Sequence, residues 1–135
     1  MFDTKIAILI LDDLPVWQKL NVTAFLTSGI VGSAPEAMGM PYKDGADRIY
    51  AALLGQPVMV FSATSEVLLR ARNQALARDL TCAAYVRSMF STGHDAANRE
   101  AFQQEPAETP DLVGIGLRGP KKDVDKAIKG GRLHE

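Results

Sequence analysis

The chain has 135 residues, 47% of them apolar and 23% charged, with 15 basic side chains against 16 acidic ones and a net charge of −1. Those are ordinary globular values, so a disordered or collagen-like chain is excluded and one domain spanning residues 1–135 is expected. The near-zero charge supplies no global field to draw in nucleic acid, and the single cysteine excludes a disulfide framework or a paired-cysteine metal site.

Ile6 to Leu11 is a continuous run of apolar strand formers. A strand that must be covered on both faces suits the centre of an α/β sheet. Met1 leads almost directly into it with no basic region, so no signal peptide is expected. Asp12-Asp13-Leu14-Pro15 ends the strand. Trp17 to Val31 then reads as a helix that is apolar nearly all round, either buried or shared with a second subunit. A homodimer is expected on that ground. Gly29 and Gly32 mark its fraying end. The charge-free run from Leu20 to Pro35 is too short and too rich in Thr, Ser and Gly to cross a bilayer. A cytoplasmic location with no membrane partner follows.

Gly32 to Ala46 carries Gly or Pro at short intervals and reads as a long ordered loop. Asp47 to Leu54 suits a short strand or one helical turn equally well. Val58 to Phe61 is a buried strand. Ser65 is the expected N-cap of an amphipathic helix over Glu66 to Asp79, with Val67, Leu68, Ala71, Ala75 and Leu76 inward. Cys82 to Val86 is the next strand. Cys82 lies in an apolar run, where a small buried residue is the simpler reading than a nucleophile.

Thr92 with Asp95 three residues later resembles a capping box opening a helix from Asp95 to Gln104. Glu105 to Pro110 is an acidic loop, and Leu112 to Leu117 is the last long strand. Pro120 stands in the first turn of a closing basic helix, Lys121 to Lys129. Helix followed by strand, twice over, predicts parallel βαβ connections. The expected fold is a three-layer α/β/α arrangement on a mixed, mostly parallel sheet of about four strands.

Two polar clusters follow strands expected to be parallel, and ligands of open α/β sheets bind beyond such carboxyl ends. The first is Asp12, Asp13, Trp17, Lys19, Asn21 and Thr23. Lys19 and Thr23 are four apart and share a helix face. A lysine there suits a phosphate-bearing substrate and can stabilise an oxyanion as an ester is attacked. The plainer reading is a solvated lysine behind two capping aspartates. The second cluster is Arg87, Ser88, Thr92, His94 and Asp95. Histidine titrates near neutrality and suits acid-base work. Equally, Thr92 caps a helix and His94 is simply exposed in its first turn. A third feature, Lys122, Lys126 and Lys129, falls on one helix face and offers phosphate contacts to RNA. Acidic neighbours dilute it, so any nucleic-acid affinity is expected to be weak. No metal-ligand spacing is visible, and no cofactor is implied.

The order of these elements, ending in Leu112-Val113-Gly114-Ile115-Gly116-Leu117 and a Val-Asp-Lys helix, resembles the type II peptidyl-tRNA hydrolases. The segments Trp17 to Phe25, Thr92-Gly93-His94-Asp95 and Leu117 to Lys122 resemble more closely an uncharacterised bacterial branch of that superfamily, the domain of unknown function 2000 family. The resemblance covers Thr4 to His134. It implies that fold and a pocket between the first helix and the loop after the third strand. Lys19, Arg87 and Thr92 match the hydrolase pattern. Thr23 stands where a glutamine would be, Leu26 where a histidine would be, and Ser88 where an aspartate would be. Leu26 cannot carry a proton, so ordinary peptidyl-tRNA hydrolysis is not expected. Two functions stay open. One is a hydrolase or transferase on an acyl-nucleotide or acyl-tRNA-like ester, using Lys19, Thr92, His94 and Asp95. The other is a non-catalytic module that binds a small ligand or a protein, with Asp12, Asp13, Trp17, Asn21, Thr23, Arg87 and Ser88 as contacts.

Overall fold

A computed structural model describes residues 2–135. The chain runs through β1 (Thr4–Leu11), α1 (Val16–Ser33), β2 (Tyr42–Lys43), β3 (Ile49–Tyr50), β4 (Val58–Ala63) and α2 (Ser65–Ala77). It continues through β5 (Thr81–Val86), α3 (Asp95–Gln103), β6 (Leu112–Pro120), α4 (Lys121–Ala127) and β7 (Arg132–Leu133). Short 3-10 turns at Pro35–Ala37 and Arg87–Ser91 join α1 to β2 and β5 to α3. The fold is mixed α/β, with a five-stranded sheet in the order β5-β6-β1-β4-β7 and a separate two-stranded ribbon of β2 and β3.

β1 sits at the centre of the sheet, as its unbroken apolar run predicts. Ile6 to Ile10 are all at most 1% exposed. The expected run of mostly parallel neighbours is corrected. β1 and β4 are parallel, whereas β6 is antiparallel to both β1 and β5, and β7 is antiparallel to β4. The cause is the connection after β5. A parallel neighbour needs a crossover that returns the chain to the opposite end of the sheet. Here α3 and the following loop run beside β5 and come back to the end where it finishes. The Arg87 N–H donates to the Asp111 carbonyl at 3.0 Å, which ties the residue after β5 to the residue before β6. β6 therefore has to run back. β1, β4 and β5 still point the same way, so their carboxyl ends share one end of the sheet.

The core forms where α1 packs on β1, β6 and β5, and where α2 and α4 pack on each other and on β6 and β1. Val22, Leu26 and Ile30 recur at helical spacing and are the buried stripe of α1. They press on the two glycines of β6. A Cβ on Gly114 would lie 2.5 Å from Val22 Cγ1, and one on Gly116 would lie 3.3 Å from Leu26 Cβ. The glycines thus permit the close helix–strand approach that their spacing suggests.

Several boundaries differ from expectation. The Thr64 hydroxyl, not that of Ser65, accepts the Val67 N–H at 3.2 Å, so the cap of α2 lies one residue earlier. Leu68, Ala71 and Ala75 are buried as expected, but Leu76 is 64% exposed. The chain turns at Asp79, in the left-handed region at φ 56°, and Leu80 folds back so that its N–H donates to the Ala75 carbonyl. Leu80 takes the inward place that Leu76 would have had. Residues 47–54, undecided from sequence, contain β3, paired with β2. The closing helix ends at Ala127, so Lys129 lies beyond it and outside the face shared by Lys122 and Lys126. Gly130, at φ 97°, turns the chain into β7. The acidic loop after α3 runs beside the β5 edge. Arg72 of α2 donates to the carbonyls of Ala107 at 2.9 Å and Glu108 at 3.2 Å. No helix among the described residues is long and apolar enough to cross a membrane.

Candidate functional site

The segments after β1 and after β5 lie at the same end of the sheet, and a hollow of about 290 Å³ opens between them. Its walls come from α1 (Trp17, Asn21, Phe25), from β5 and the turn after it (Tyr85, Met89, Phe90), and from the start of α3 (Thr92, His94, Asp95, Asn98). Trp17, Asn21 and Phe25 recur every four residues, which stacks them on one helix face. That face is set beside the buried Val22-Leu26-Ile30 stripe, so seating α1 on β6 aims it toward β5.

Aromatic rings dominate the walls. Trp17 meets Phe90 edge-on at 6.2 Å between centroids, Phe90 meets Tyr85 at 5.2 Å, and Tyr85 meets Phe25 at 5.9 Å. These are separations at which aromatic pairs attract beyond their simple burial. Burial lifts the Tyr85 phenol above its ordinary pKa, and a hydrogen bond with Asn21 opposes that shift. The hollow continues along β5 into a larger cleft of about 830 Å³, which shares Phe25, Tyr85, Met89, Asp95 and Asn98 and is also lined by Phe102 and Pro106.

The polar groups are held in place by α3. His94, not Thr92, is its N-cap: the Nδ1 atom accepts the Ala97 N–H at 3.2 Å. The Thr92 hydroxyl instead donates to the Met89 carbonyl at 2.9 Å and meets the Asn98 side-chain amide. An Nδ1 that accepts a hydrogen bond leaves the ring proton of a neutral imidazole on Nε2. Asp95 pairs with Arg99 one turn later at 2.9 Å.

Lys19 is elsewhere. Its Nζ lies 3.4 Å from His134 Nε2, at the end of the chain where the His134 N–H donates to the Val60 carbonyl. That is the β4–β7 side of α1, whereas the hollow is on the β5 side. Thr23 turns its hydroxyl back to the Lys19 carbonyl at 2.7 Å. Asp12 and Asp13 are exposed in the turn after β1, and neither lines the hollow. Arg87 pairs with Asp111 at 3.1 Å outside it, and Ser88 is exposed. The structure therefore gathers Trp17, Asn21, Thr92, His94 and Asp95, and leaves Lys19, Thr23, Asp12, Asp13, Arg87 and Ser88 outside. It adds Phe25, Tyr85, Met89, Phe90 and Asn98. Phe25 was accessible from the four-residue spacing, and Asn98 stands one turn beyond His94. Tyr85, Met89 and Phe90 carried no sequence signal of a site.

A family described as a protein of unknown function, DUF2000, matches residues 4–135. The chain belongs to the DUF2000 family. A solved protein of unknown function from Agrobacterium tumefaciens strain C58, Atu0240, is 50% identical, with 100% of each chain covered and a TM-score of 0.97. No curated protein matches this DUF2000 chain. Among its described residues, no three His, Cys, Asp or Glu side chains are grouped to hold a metal ion. Cys82 lines neither hollow, and burial pushes its thiol up to about 11, with Arg72 pulling the other way.

Proposed function

We propose that this protein binds a small molecule bearing a flat apolar group, seated among Trp17, Phe25, Tyr85 and Phe90. The observation that carries the reading is the chemistry of the wall. Four aromatic rings and Met89 line the hollow, its half-buried polar groups, Asn21, Thr92 and Asn98, are uncharged, and its one carboxylate, Asp95, is exposed and paired with Arg99. An apolar pocket with a few placed polar groups is the usual form of a small-ligand site. His94 serves binding better than catalysis in this geometry. With Nδ1 accepting from Ala97 and the proton on Nε2, the ring offers a donor to a ligand but no free lone pair to act as a base.

The second reading, a hydrolase or transferase on an acyl-nucleotide or acyl-tRNA-like ester, is favoured by the meeting of Thr92, His94 and Asp95 beside the hollow. It requires the His94 cap to open and free Nδ1, and it places Lys19 outside the reacting group. The motif matches at Lys19, Arg87 and Thr92 support kinship with the type II peptidyl-tRNA hydrolases. The three-layer α/β/α arrangement of that fold is supported by α1 lying against Gly114 and Gly116 while α2 and α4 pack together. We further propose a cytoplasmic homodimer with weak nucleic-acid affinity, on the charge-free stretch of α1 and the net charge of −1.

Trp17 is the only tryptophan, so its emission reports on the hollow directly. Titration with adenosine monophosphate and with a sulfamoyl acyl-adenosine is expected to give a saturable change in that emission, lost in Tyr85→Ala. No saturable change with either probe up to millimolar concentration would overturn the acyl-nucleotide class as the ligand. Turnover of an acyl-adenylate that disappears in His94→Ala would favour the catalytic reading instead.

A further inference from the structure

Residues 38–54 leave the body of the protein as a two-stranded arm. Met38 pairs with Leu54, the Gly39 N–H donates to the Leu53 carbonyl at 2.8 Å, and β2 pairs with β3 beyond them. Asp44 holds the tip. Its carboxylate accepts from the Ala46 N–H at 2.9 Å, the Arg48 N–H at 3.1 Å, Arg48 Nε at 2.8 Å and the Tyr50 hydroxyl at 2.8 Å. β2 and β3 pair with each other and with no strand of the main sheet, and all their residues are exposed. A hairpin of this size is marginal in water unless something packs on it. Its surface is also the wrong kind for solvent: Met40, Tyr42, Ile49, Tyr50 and Leu53 are each between 54% and 81% exposed.

A second surface has the same character. The outward stripe of α1 is Trp17, Leu20, Ala24 and Ser28, all exposed, and no charged residue occurs from Leu20 to Pro35. A surface helix normally carries its charges on that side. Trp17 and Leu20, at 62% and 68% exposed, stand at its first turns.

We propose that a second copy of this chain covers both surfaces at once, each arm lying along the outer face of the other copy's α1. The inference rests on the homodimer proposed above and names the contact that makes it. The arm springs from the carboxyl end of α1, and Trp17 stands at the amino end, about 27 Å away for 18 residues. Two copies with antiparallel α1 helices about a two-fold axis place the root of each arm beside the middle or far end of the other helix. Six residues of ribbon reach a further 20 Å or so. Such a contact is self-complementary and closes at two subunits. The area is sufficient. Tyr42 pairs with Tyr50, so the two share one face of the ribbon with Met40, while Ile49, paired with Lys43, is on the other. Large side chains offer roughly 200 Å² each, so these three, each more than half exposed, put about 400 Å² on that face. Two arms come to roughly 800 Å², and the α1 surface they cover adds a similar area, beyond the roughly 1,200 Å² at which stable interfaces begin. The arm also brings tyrosines to the rim of the hollow at Trp17, so that each binding site is completed by the partner copy.

Light scattering on the whole chain is expected to give twice 14.6 kDa at micromolar concentration. Leu20→Glu and Tyr42→Glu are each expected to shift the particle to monomer, with far-ultraviolet circular dichroism unchanged because both sites are on the surface. Leu20→Cys and Tyr42→Cys proteins, each made with Cys82→Ser, are then mixed and treated with a short bis-maleimide. A cross-linked product containing one of each is the expected result. A monomeric wild type would overturn both the dimer and the arm contact. A dimer that survives Tyr42→Glu, or that gives no mixed cross-link, would leave the dimer standing and remove the arm from it.

Discussion

Cys82 and Gly114 show how single side chains acquire properties from what surrounds them. The apolar run around Cys82 makes it read as a buried, inert thiol; in the fold it is half-buried, and that burial still pushes its pKa from 9.0 up to about 11. Between those values the unfolded chain loses its thiol proton while the folded chain keeps it. Stability is therefore fully present below about pH 9 and falls as pH rises toward 11, by on the order of 2 kcal/mol from a shift of this size. Urea titrations at pH 8.5 and pH 11 are expected to show that loss in the wild type and a smaller one in Cys82→Ser. Gly114 reads in sequence only as a close-approach position. Its partners are visible in the fold, where an added Cβ would meet Val22 Cγ1 at 2.5 Å and Leu26 Cδ1 at 2.9 Å. Gly114→Ala is expected to destabilise by about 1–3 kcal/mol, as over-packing does, measured by denaturant midpoint.

At the scale of elements, apolar period located every long strand and helix, and local hydrogen bonding decided where each one stopped. The caps illustrate this. Thr64 and Ser65 are both good capping residues, and sequence does not choose between neighbours when either can turn its hydroxyl inward. Backbone geometry chose Thr64. Thr64→Ala is expected to cost about 1 kcal/mol, while Ser65→Ala changes stability by less than about 0.5 kcal/mol, both read from thermal or urea unfolding. In the same way Thr92 and His94 competed for the start of α3. His94 won because its extended backbone sets Nδ1 against the Ala97 N–H. The consequence is functional, since the residue singled out for proton transfer is occupied in holding a helix end.

For the whole molecule, the absence of a proton carrier at Leu26 and the capping role of His94 both predict that a peptidyl-tRNA substrate is hydrolysed weakly or not at all. General acid-base catalysis is typically worth ~10²- to 10⁴-fold, so the residual rate is expected to fall short of a hydrolase by at least that factor. Full turnover abolished by Lys19→Ala would reverse this. Binding of tRNA is expected to be weaker than micromolar near 150 mM salt, by filter binding, because Asp123 and Asp125 interrupt the lysines of α4. The sequence by itself determined the central strand, the long helices, the mixed α/β class and the end of the sheet where polar residues collect. These follow from hydrophobic period and from turn chemistry, which act over a few residues. Only the tertiary structure decided that β6 runs antiparallel between β5 and β1, because that depends on α3 and its loop bringing the chain back to the end of the sheet where β5 finishes. It alone separated Lys19 from His94, since the two sides of a helix become different places only when the helix is seated. It alone brought Trp17, Phe25, Tyr85 and Phe90 together, because contacts between residues distant in the chain exist only once the sheet has assembled.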